Sequence, residues 1–392
     1  MNNTQLLKCG EFVSGKIKVS DLSLSNYIST ENMLPNKKGI VKSNNLPPAK
    51  IVNSFKKDDI LISNIRPYFK KIWLAQSVGG CSADILTFKV NNKFNPLFIY
   101  YCLSQDSFFK HMMAGAKGSK MPRGDKEQIL KFNVPNYNVD KQNKISMFLK
   151  SIDNKIDINN KINNELETMA KTLYDYWFVQ CDFPNDEGNP YKSTGGEMIW
   201  NDIINREIPE SWEVKRFREI FAFSKGKIPE ALFDKKSDER IDYITIDVLN
   251  EGIPEYCRES AATITEGDVL MVMDGAASCD IYQGFNGAIG STLSALKIVN
   301  KSVSNEFLYF MMKRYENIFK KVNTGSTVPH ANKNYICDYY VTLPKRAKLN
   351  QLEAIFIITR KIIVSKLKEN QNLISFREFI LPLLMNGQVG FK

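Results

Sequence analysis

The chain has 392 residues, with 53 Lys and Arg against 43 Asp and Glu, two His and seven Cys. Its length suits two domains, and 43% hydrophobic content supplies packed cores, which excludes global disorder. No run of about 18 apolar residues marks a spanning helix, the N-terminus lacks a secretory pattern, and seven scattered cysteines point to a reducing, cytoplasmic setting rather than to disulfides or a zinc site.

The charge is uneven. Residues 1–150 hold 23 basic and 10 acidic groups, 151–300 hold 15 and 27, and 301–392 hold 15 and 6. Basic blocks suit a polyanion such as nucleic acid, because neutralised phosphates release counterions. Ordinary surface lysines explain the same count without a partner.

In chain order, residues 1–138 mix short β-rich runs, such as Ile60-Leu61-Ile62 and Ile85-Leu86-Thr87-Phe88, with a helical patch over Asn95–Gln105. A long helix is predicted over 139–181. Its apolar seam steps through Ile145, Leu149, Ile152 and Ile156, slips near Asn159, and resumes at Ile162, Leu166, Met169, Leu173 and Tyr176. A polar stretch rich in Pro and Gly, 182–210, reads as a connector. Residues 211–344 form a second mixed segment, with strands expected at Tyr243-Ile244-Thr245-Ile246 and Val269-Leu270-Met271-Val272 and a helix at Asn305–Lys320. A second long helix follows in 345–392, with Leu352, Ile355, Ile358, Ile362, Leu373, Phe376, Ile380 and Leu383 as its seam. Pro382 should kink or end it, and Asn386-Gly387 closes it.

The order mixed–helix–connector–mixed–helix is a duplication. Asp59-Ile60-Leu61 matches Asp268-Val269-Leu270 at an offset of 209, and GSKMPR (118–123) matches GSTVPH (325–330) at 207. Phe132-Asn133-Val134-Pro135 matches Val341-Thr342-Leu343-Pro344, and Gln142 matches Gln351, both at 209. The fold class reads as α+β: two similar mixed domains, each followed by a long helix of similar length, a pseudo-two-fold object. Such an object suits a rod-like partner with two sites, as DNA with two half-sites is.

Catalytic signatures are sparse. No P-loop, G-x-G-x-x-G, G-x-S-x-G or Asn/Asp-Pro-Pro-aromatic string occurs, and Asn95-Pro96-Leu97-Phe98 reads as a helix start. Asp202 with Glu213-Val214-Lys215 superficially resembles a nuclease pattern, but Trp212–Lys215 after a Pro-Glu-Ser turn is more simply a first strand. The two Gly-Ser loops carry groups able to touch phosphates or bases: Ser119, Lys120 and Arg123 in the first, Ser326, Thr327 and His330 in the second, with Lys333 just beyond. As turns alone they would need no function. Ile65–Lys71 is the sharpest basic–aromatic cluster, and an exposed loop bearing Arg66, Tyr68, Lys70 and Lys71 would suit a groove; a strand edge with solvated lysines is the plainer alternative. Its counterpart, 273–278, has no basic residue, so the halves use different groups there. Lys225 and Lys227 mark another candidate loop. Leu173, Tyr174, Tyr176, Trp177 and Phe178 exceed what a two-helix seam needs, and serve either internal packing or a docking surface for another protein.

Several strings together, DDILISNIRPYFKKIWLA (58–75), EGDVLMVMDG (266–275), GGCSAD (79–84), GSTVPH (325–330), LETMAKTLYDYWFVQ (166–180) and IPESWEVK (208–215), resemble the specificity subunit of type I restriction–modification systems over essentially the whole chain. Arg123, where the second copy has His330, departs from a strict repeat. The resemblance implies that each mixed segment is a target-recognition domain reading half of a bipartite site in double-stranded DNA. It implies that the two long helices pack antiparallel as a coiled-coil spacer on which two methyltransferase subunits dock, and that two restriction subunits can join. It also implies no catalysis or cofactor in this chain: S-adenosylmethionine, and ATP with Mg where restriction subunits join, belong to the partners. The competing reading is a coiled-coil assembly scaffold that never reads DNA.

Overall fold

The structure, a computed structural model, describes residues 3–118, 120–250, 254–258, 262–325 and 327–390. The chain divides into two compact units, Met1–Asp157 with Asn370–Lys392, and Ile158–Glu369. Both long helices cross that division, so each unit owns one mixed segment and part of each helix.

In the first unit, β1 (Gly10–Val13), β2 (Ile60–Ser63), β3 (Ile72–Leu74) and β4 (Ile85–Val90) form an antiparallel sheet in the order β1-β4-β2-β3. All four residues of β2 are buried, the pattern of a strand covered on both faces. Ile60 and Ile62 pack with Phe98, Phe108 and Ile129 from the helices α1 (Pro96–Leu103), α2 (Asp106–Ala114) and α3 (Lys126–Leu130). Leu61 and Ile85 turn the other way, onto Ile28, Phe55 and Cys81 of a second four-stranded sheet. Asn95 caps α1 by accepting from the Leu97 and Phe98 N–H groups, with Pro96 at the first helical position, so this string is the helix start its sequence suggests.

The long helix α4 (Val139–Tyr174) follows, then the second unit repeats the plan. Here β5 (Phe221–Lys225), β6 (Val269–Val272), β7 (Ile281–Tyr282) and β8 (Leu293–Ile298) lie in the order β5-β8-β6-β7, the same topology as the first sheet. The register repeats too: Ile60 opposite Phe88 becomes Val269 opposite Leu296. Val269 and Met271 pack toward Phe307 and Met311 of α5 (Asn305–Lys320), while Leu270 and Val272 meet Ile244, Ile264 and Ile289 of the second sheet. The short helix α6 (Lys333–Asp338) and the long helix α7 (Arg346–Met385) complete the copy. Trp212–Arg216 is a strand, antiparallel to Tyr340–Pro344, just as Asn3–Gln5 pairs with Asn133–Pro135. The Glu213-Val214-Lys215 string is therefore structural. Ile246 departs from expectation: the strand stops at Ile244 and Ile246 opens a short helical turn.

Two further expectations about the long helices change. The α geometry of the first stops at Tyr174 and gives way to a π turn over Asp175–Val179, and Cys181 at φ 66° ends the run. Pro382 does not end α7, which continues to Met385. Gly387 at φ 63° then closes it, donating to the Leu384 carbonyl.

The predicted seams hold at Ile145, Leu149, Ile152 and Leu352 and lose phase beyond them. The buried stripe of α4 runs through Ile145, Leu149, Ile152, Asn159, Asn163, Ala170 and Tyr174 without a slip, while Ile162 and Met169 face solvent. On α7, Leu352, Phe356, Thr359 and Ile363 are buried, and Ile355, Ile358 and Ile362 are exposed. Asn159, fully buried, donates to Glu369 Oε2 at 3.1 Å, so polar side chains occupy positions that an apolar pattern assigns to the outside. Within each unit the two long helices run antiparallel: Asp153 meets Arg377 at 2.6 Å in the first, and Tyr174 meets Phe356 in the second.

Candidate nucleic-acid interface

The Gly-Ser loops are the most closely repeated irregular feature. Each leaves a helix, doubles back, and docks on the chain just beyond the buried central strand. In the first unit Lys117 and Arg123 exchange backbone hydrogen bonds of 2.9 Å, the Arg66 N–H donates to the Pro122 carbonyl at 2.8 Å, and the Gly124 N–H donates to the Asn64 carbonyl at 3.2 Å. In the second, Thr324 and His330 exchange bonds of 2.9 and 2.7 Å, the Gly275 N–H donates to Pro329 at 2.9 Å, and the Ala331 N–H donates to Met273 at 2.8 Å. Gly118 and Gly325 sit at φ 93° and 92°, the left-handed region where a Cβ is strained, which is why both copies carry glycine there.

The side chains on this shared backbone differ. Arg123 pairs with Asp84 at 3.1 Å and Lys117 with Asp125 at 2.8 Å. The Lys117 hydrogen bond lowers the Asp125 carboxyl below its usual range and raises the lysine. In the second copy His330 Nδ1 lies 2.7 Å from Asp274 Oδ1. Arg123 and His330 both keep about half of their side chains in solvent, 57% and 49%. Beside His330 lies a cleft of about 240 Å³ lined by Lys225, Asp274, Thr324, Asn332 and Lys333. The second loop thus gathers Lys225, His330 and Lys333, which the sequence places far apart. Lys120, Thr327 and Lys227 are exposed. Ser119 and Ser326 lie outside the described residues.

The Arg66–Lys71 cluster is less free than its sequence suggests. Arg66 adopts φ 48° and is half-buried, with its Nε buried and unpaired; Tyr68 is exposed. Lys70 pairs with Asp106 at 2.8 Å. Lys71 points inward, donating to the Thr30 carbonyl, and burial lowers its pKa. Lys70 and Lys71 are tied into the domain, so the exposed basic groove-binding loop reduces to Arg66 and Tyr68. Lys225 ends β5 rather than sitting in a loop.

The aromatic group at the end of the first long helix is also corrected. Tyr174 and Phe178 are buried in the core of the second unit, where Phe178 stacks on Tyr174 at 4.9 Å and touches Phe307 at 4.8 Å and Trp212 at 5.6 Å. Leu173 and Trp177 pack against that core, and Tyr176 alone of the five is exposed. Tyr174 and Phe178 fill the junction between α4, α5 and α7 and belong to the core, which leaves only Tyr176 on the surface.

Sequence reasoning missed Lys126, Asp84 and Asp274. Lys126 stands in the register of Lys333, so the loop offset of 207, carried three residues further, signals it. The two aspartates hold Arg123 and His330 from outside the loops: Asp274 lies in the turn just beyond β6 that receives its loop, and Asp84 in the turn before β4. Among the described residues no cluster of His, Cys, Asp or Glu could hold a metal, and no helix is long and apolar enough to cross a membrane.

Comparison with known proteins agrees with this duplicated plan. The family model for the type I restriction modification DNA specificity domain matches residues 15–168 and again 209–375. The type I restriction enzyme MjaVIII specificity subunit of Methanocaldococcus jannaschii is 26% identical over 41% of this chain and 38% of its own length. The HindI specificity subunit of Haemophilus influenzae is 21% identical over 93% of this chain and 94% of its own. The crystal structure of the type I restriction–modification system S subunit from M. genitalium shares the fold, with a TM-score of 0.55 at 16% identity, covering 98% of this chain and 96% of that one. With two matched copies covering most of its length, the chain belongs to the type I restriction modification DNA specificity domain family.

Proposed function

We propose that this chain is the DNA-recognition subunit of a type I restriction–modification complex, working in the cytoplasm without catalysis of its own. The observation that carries the reading is one docked loop, built twice on the same backbone and surrounded by different polar side chains: Lys117 and Arg123 on the loop and Arg66 beside it in one unit, Thr324 and His330 on the loop and Lys225 beside it in the other. Two like frames with unlike groups suit a bipartite site whose halves differ. Each unit would read one half-site in double-stranded DNA, and the paired helices would set the spacer.

Two methyltransferase subunits would dock on the exposed apolar faces of the helices, and restriction subunits could join. Ile158, Ile162, Met169, Ile355, Ile358 and Ile362 form such a face in the second unit, and Met147, Phe376 and Phe379 are exposed in the first. S-adenosylmethionine, and ATP with Mg, would be held by those partners. The seven cysteines are unpaired thiols, which suits a reducing compartment.

The test is a genome-wide map of methylated adenines in cells with and without the gene. A single bipartite motif that disappears on deletion is the expected result. An unchanged map, with the methyltransferase present and active, would favour the scaffold that never reads DNA.

A further inference from the structure

At the docked loops one basic group is common to both halves. Lys126 opens α3 and Lys333 opens α6, each directly after the docked loop. Lys126 Nζ lies 6.0 Å from the centre of the Phe12 ring, and Lys333 Nζ lies 5.4 Å from that of Phe223. The rings themselves correspond. Phe12 pairs across the sheet with Phe88, which faces Ile60; Phe223 pairs with Leu296, which faces Val269. Even the preceding residue matches: Asp125 and Asn332 each cap the helix by accepting backbone N–H bonds in its first turn. Among the described residues neither ammonium has a carboxylate partner, although Lys117 beside Lys126 does.

The surroundings of this pair are not shared. Arg66 stands where the second copy has Gly275, Lys117 where it has Thr324, and Arg123 where it has His330. A group that is identical in two modules reading different sequences cannot carry the difference between them. What the two half-sites have in common is the sugar–phosphate backbone.

We propose that Lys126 and Lys333 are matched phosphate contacts, one per half, each held in place by the face of a phenylalanine ring. The positions that differ, Arg66, Lys117 and Arg123 against Thr324 and His330, read the bases. This inference rests on the DNA-recognition reading above and adds a division of labour to it. A ring beneath the ammonium restricts its rotamers while leaving its N–H donors directed away from the protein.

The experiment uses the chain assembled with its methyltransferase subunits. Affinity is measured across a salt series for a duplex carrying the mapped site and for a scrambled duplex. Lys126→Ala and Lys333→Ala should each reduce the slope of log K against log salt by about 0.9. Each should weaken both duplexes by the same factor, about threefold to tenfold, and leave the methylated motif unchanged. The double variant should lose twice the slope, and Lys126→Arg and Lys333→Arg should retain it. Arg123→His, by contrast, should relax the motif in one half only. An unchanged slope in both alanine variants would overturn the proposal, as would a motif relaxed at single bases by either. A wild-type complex that fails to discriminate the two duplexes would instead overturn the DNA-recognition reading, and this inference with it.

Discussion

The two docked loops differ in almost every exposed side chain and in almost none of their backbone bonds. Arg66 and Gly275 make the same N–H bond to a proline carbonyl, at 2.8 and 2.9 Å, yet one projects a guanidinium and the other nothing. Where Arg123 reaches Asp84, His330 reaches Asp274, a residue in a different part of its own unit. A backbone bond does not depend on the side chain above it, so the frame survived duplication while the groups displayed on it diverged. The lesson is that the scaffold of such a module is carried by main-chain pairing and two glycines, and its individuality by a handful of polar side chains.

The comparison breaks most visibly at the helices. Ile358 is 60% exposed on α7 in the second unit, and Phe379 is 67% exposed on the same helix in the first. Aspartate at either site should leave folding within about 0.5 kcal/mol, because neither side chain is buried. Ile358→Asp should weaken docking at one unit by at least about 2 kcal/mol, roughly thirtyfold, and Phe379→Asp should do so at the other. Native mass spectrometry of the assembled complex would then show one methyltransferase per chain in place of two. Full occupancy in both variants would remove these faces from the interface.

A smaller effect separates the two loop glycines. Gly118 and Gly325 share a φ near 92°, so alanine at either should cost about 1–2 kcal/mol from backbone strain. Their surroundings differ. A Cβ at 325 would meet the Val328 carbonyl oxygen at 2.3 Å and the His330 ring at 2.9 Å, whereas one at 118 meets its nearest atom, the Met121 carbonyl, at 3.3 Å. Gly325→Ala should therefore cost about 1 kcal/mol more than Gly118→Ala. It should also relax the methylated motif in the half proposed for the second unit and leave the other half unchanged. Equal losses in the two variants would show that the tight contact relaxes freely.

Much of this architecture is legible in the residues. The offset of 207 to 209 locates the repeat, buried strands such as Ile60-Leu61-Ile62 stand out as apolar runs, and Asn95-Pro96 announces a helix. The facing of the long helices is legible only in part, at Ile145, Leu149, Ile152 and Leu352, and the reason is physical. Pattern reading assumes that apolar side chains mark the buried stripe, but α4 buries Asn159 and Asn163 and exposes Ile158, Ile162 and Met169. A polar layer inside a helix pair, together with an exposed apolar face, inverts the signal. The aromatic group from Leu173 to Phe178 failed for a related reason: rings that suit an interface also suit a core, and only the position of Phe307 and Phe356 in space decides. Lys126 carries a signal in the sequence, the offset of 207 to Lys333, but only the sheet register shows that Phe12 and Phe223 lie beneath the two.

The finest contrast is between two equivalent carboxylates. Asp59 Oδ2 accepts from the Lys56 N–H at 2.7 Å, and Asp268 Oδ2 from the Thr265 N–H at 2.8 Å, the same turn before the same strand. Burial pushes both carboxyls up. For Asp59 it prevails, and the pKa stands above the ordinary 3.8. For Asp268 the Thr265 bonds and the Lys297 ammonium, 2.9 Å away, outweigh burial and hold the pKa below 3.8. Lys89, in the place of Lys297, acts on Asp59 only at longer range. The signs of linkage then oppose. Asp268 contributes stability above pH 3.8 that is lost as pH falls through its lower folded value, whereas the contribution of Asp59 is full below pH 3.8 and is lost as pH rises through its higher one. At neutral pH Asp268→Asn should destabilise the second unit by about 1 kcal/mol, and Asp59→Asn should stabilise the first by a few tenths. Both differences should shrink in acid, where the carboxyls are protonated and resemble the amide. Hydrogen exchange of the β2 and β6 amides reads the two units separately, and changes of the same sign in both would refute the contrast.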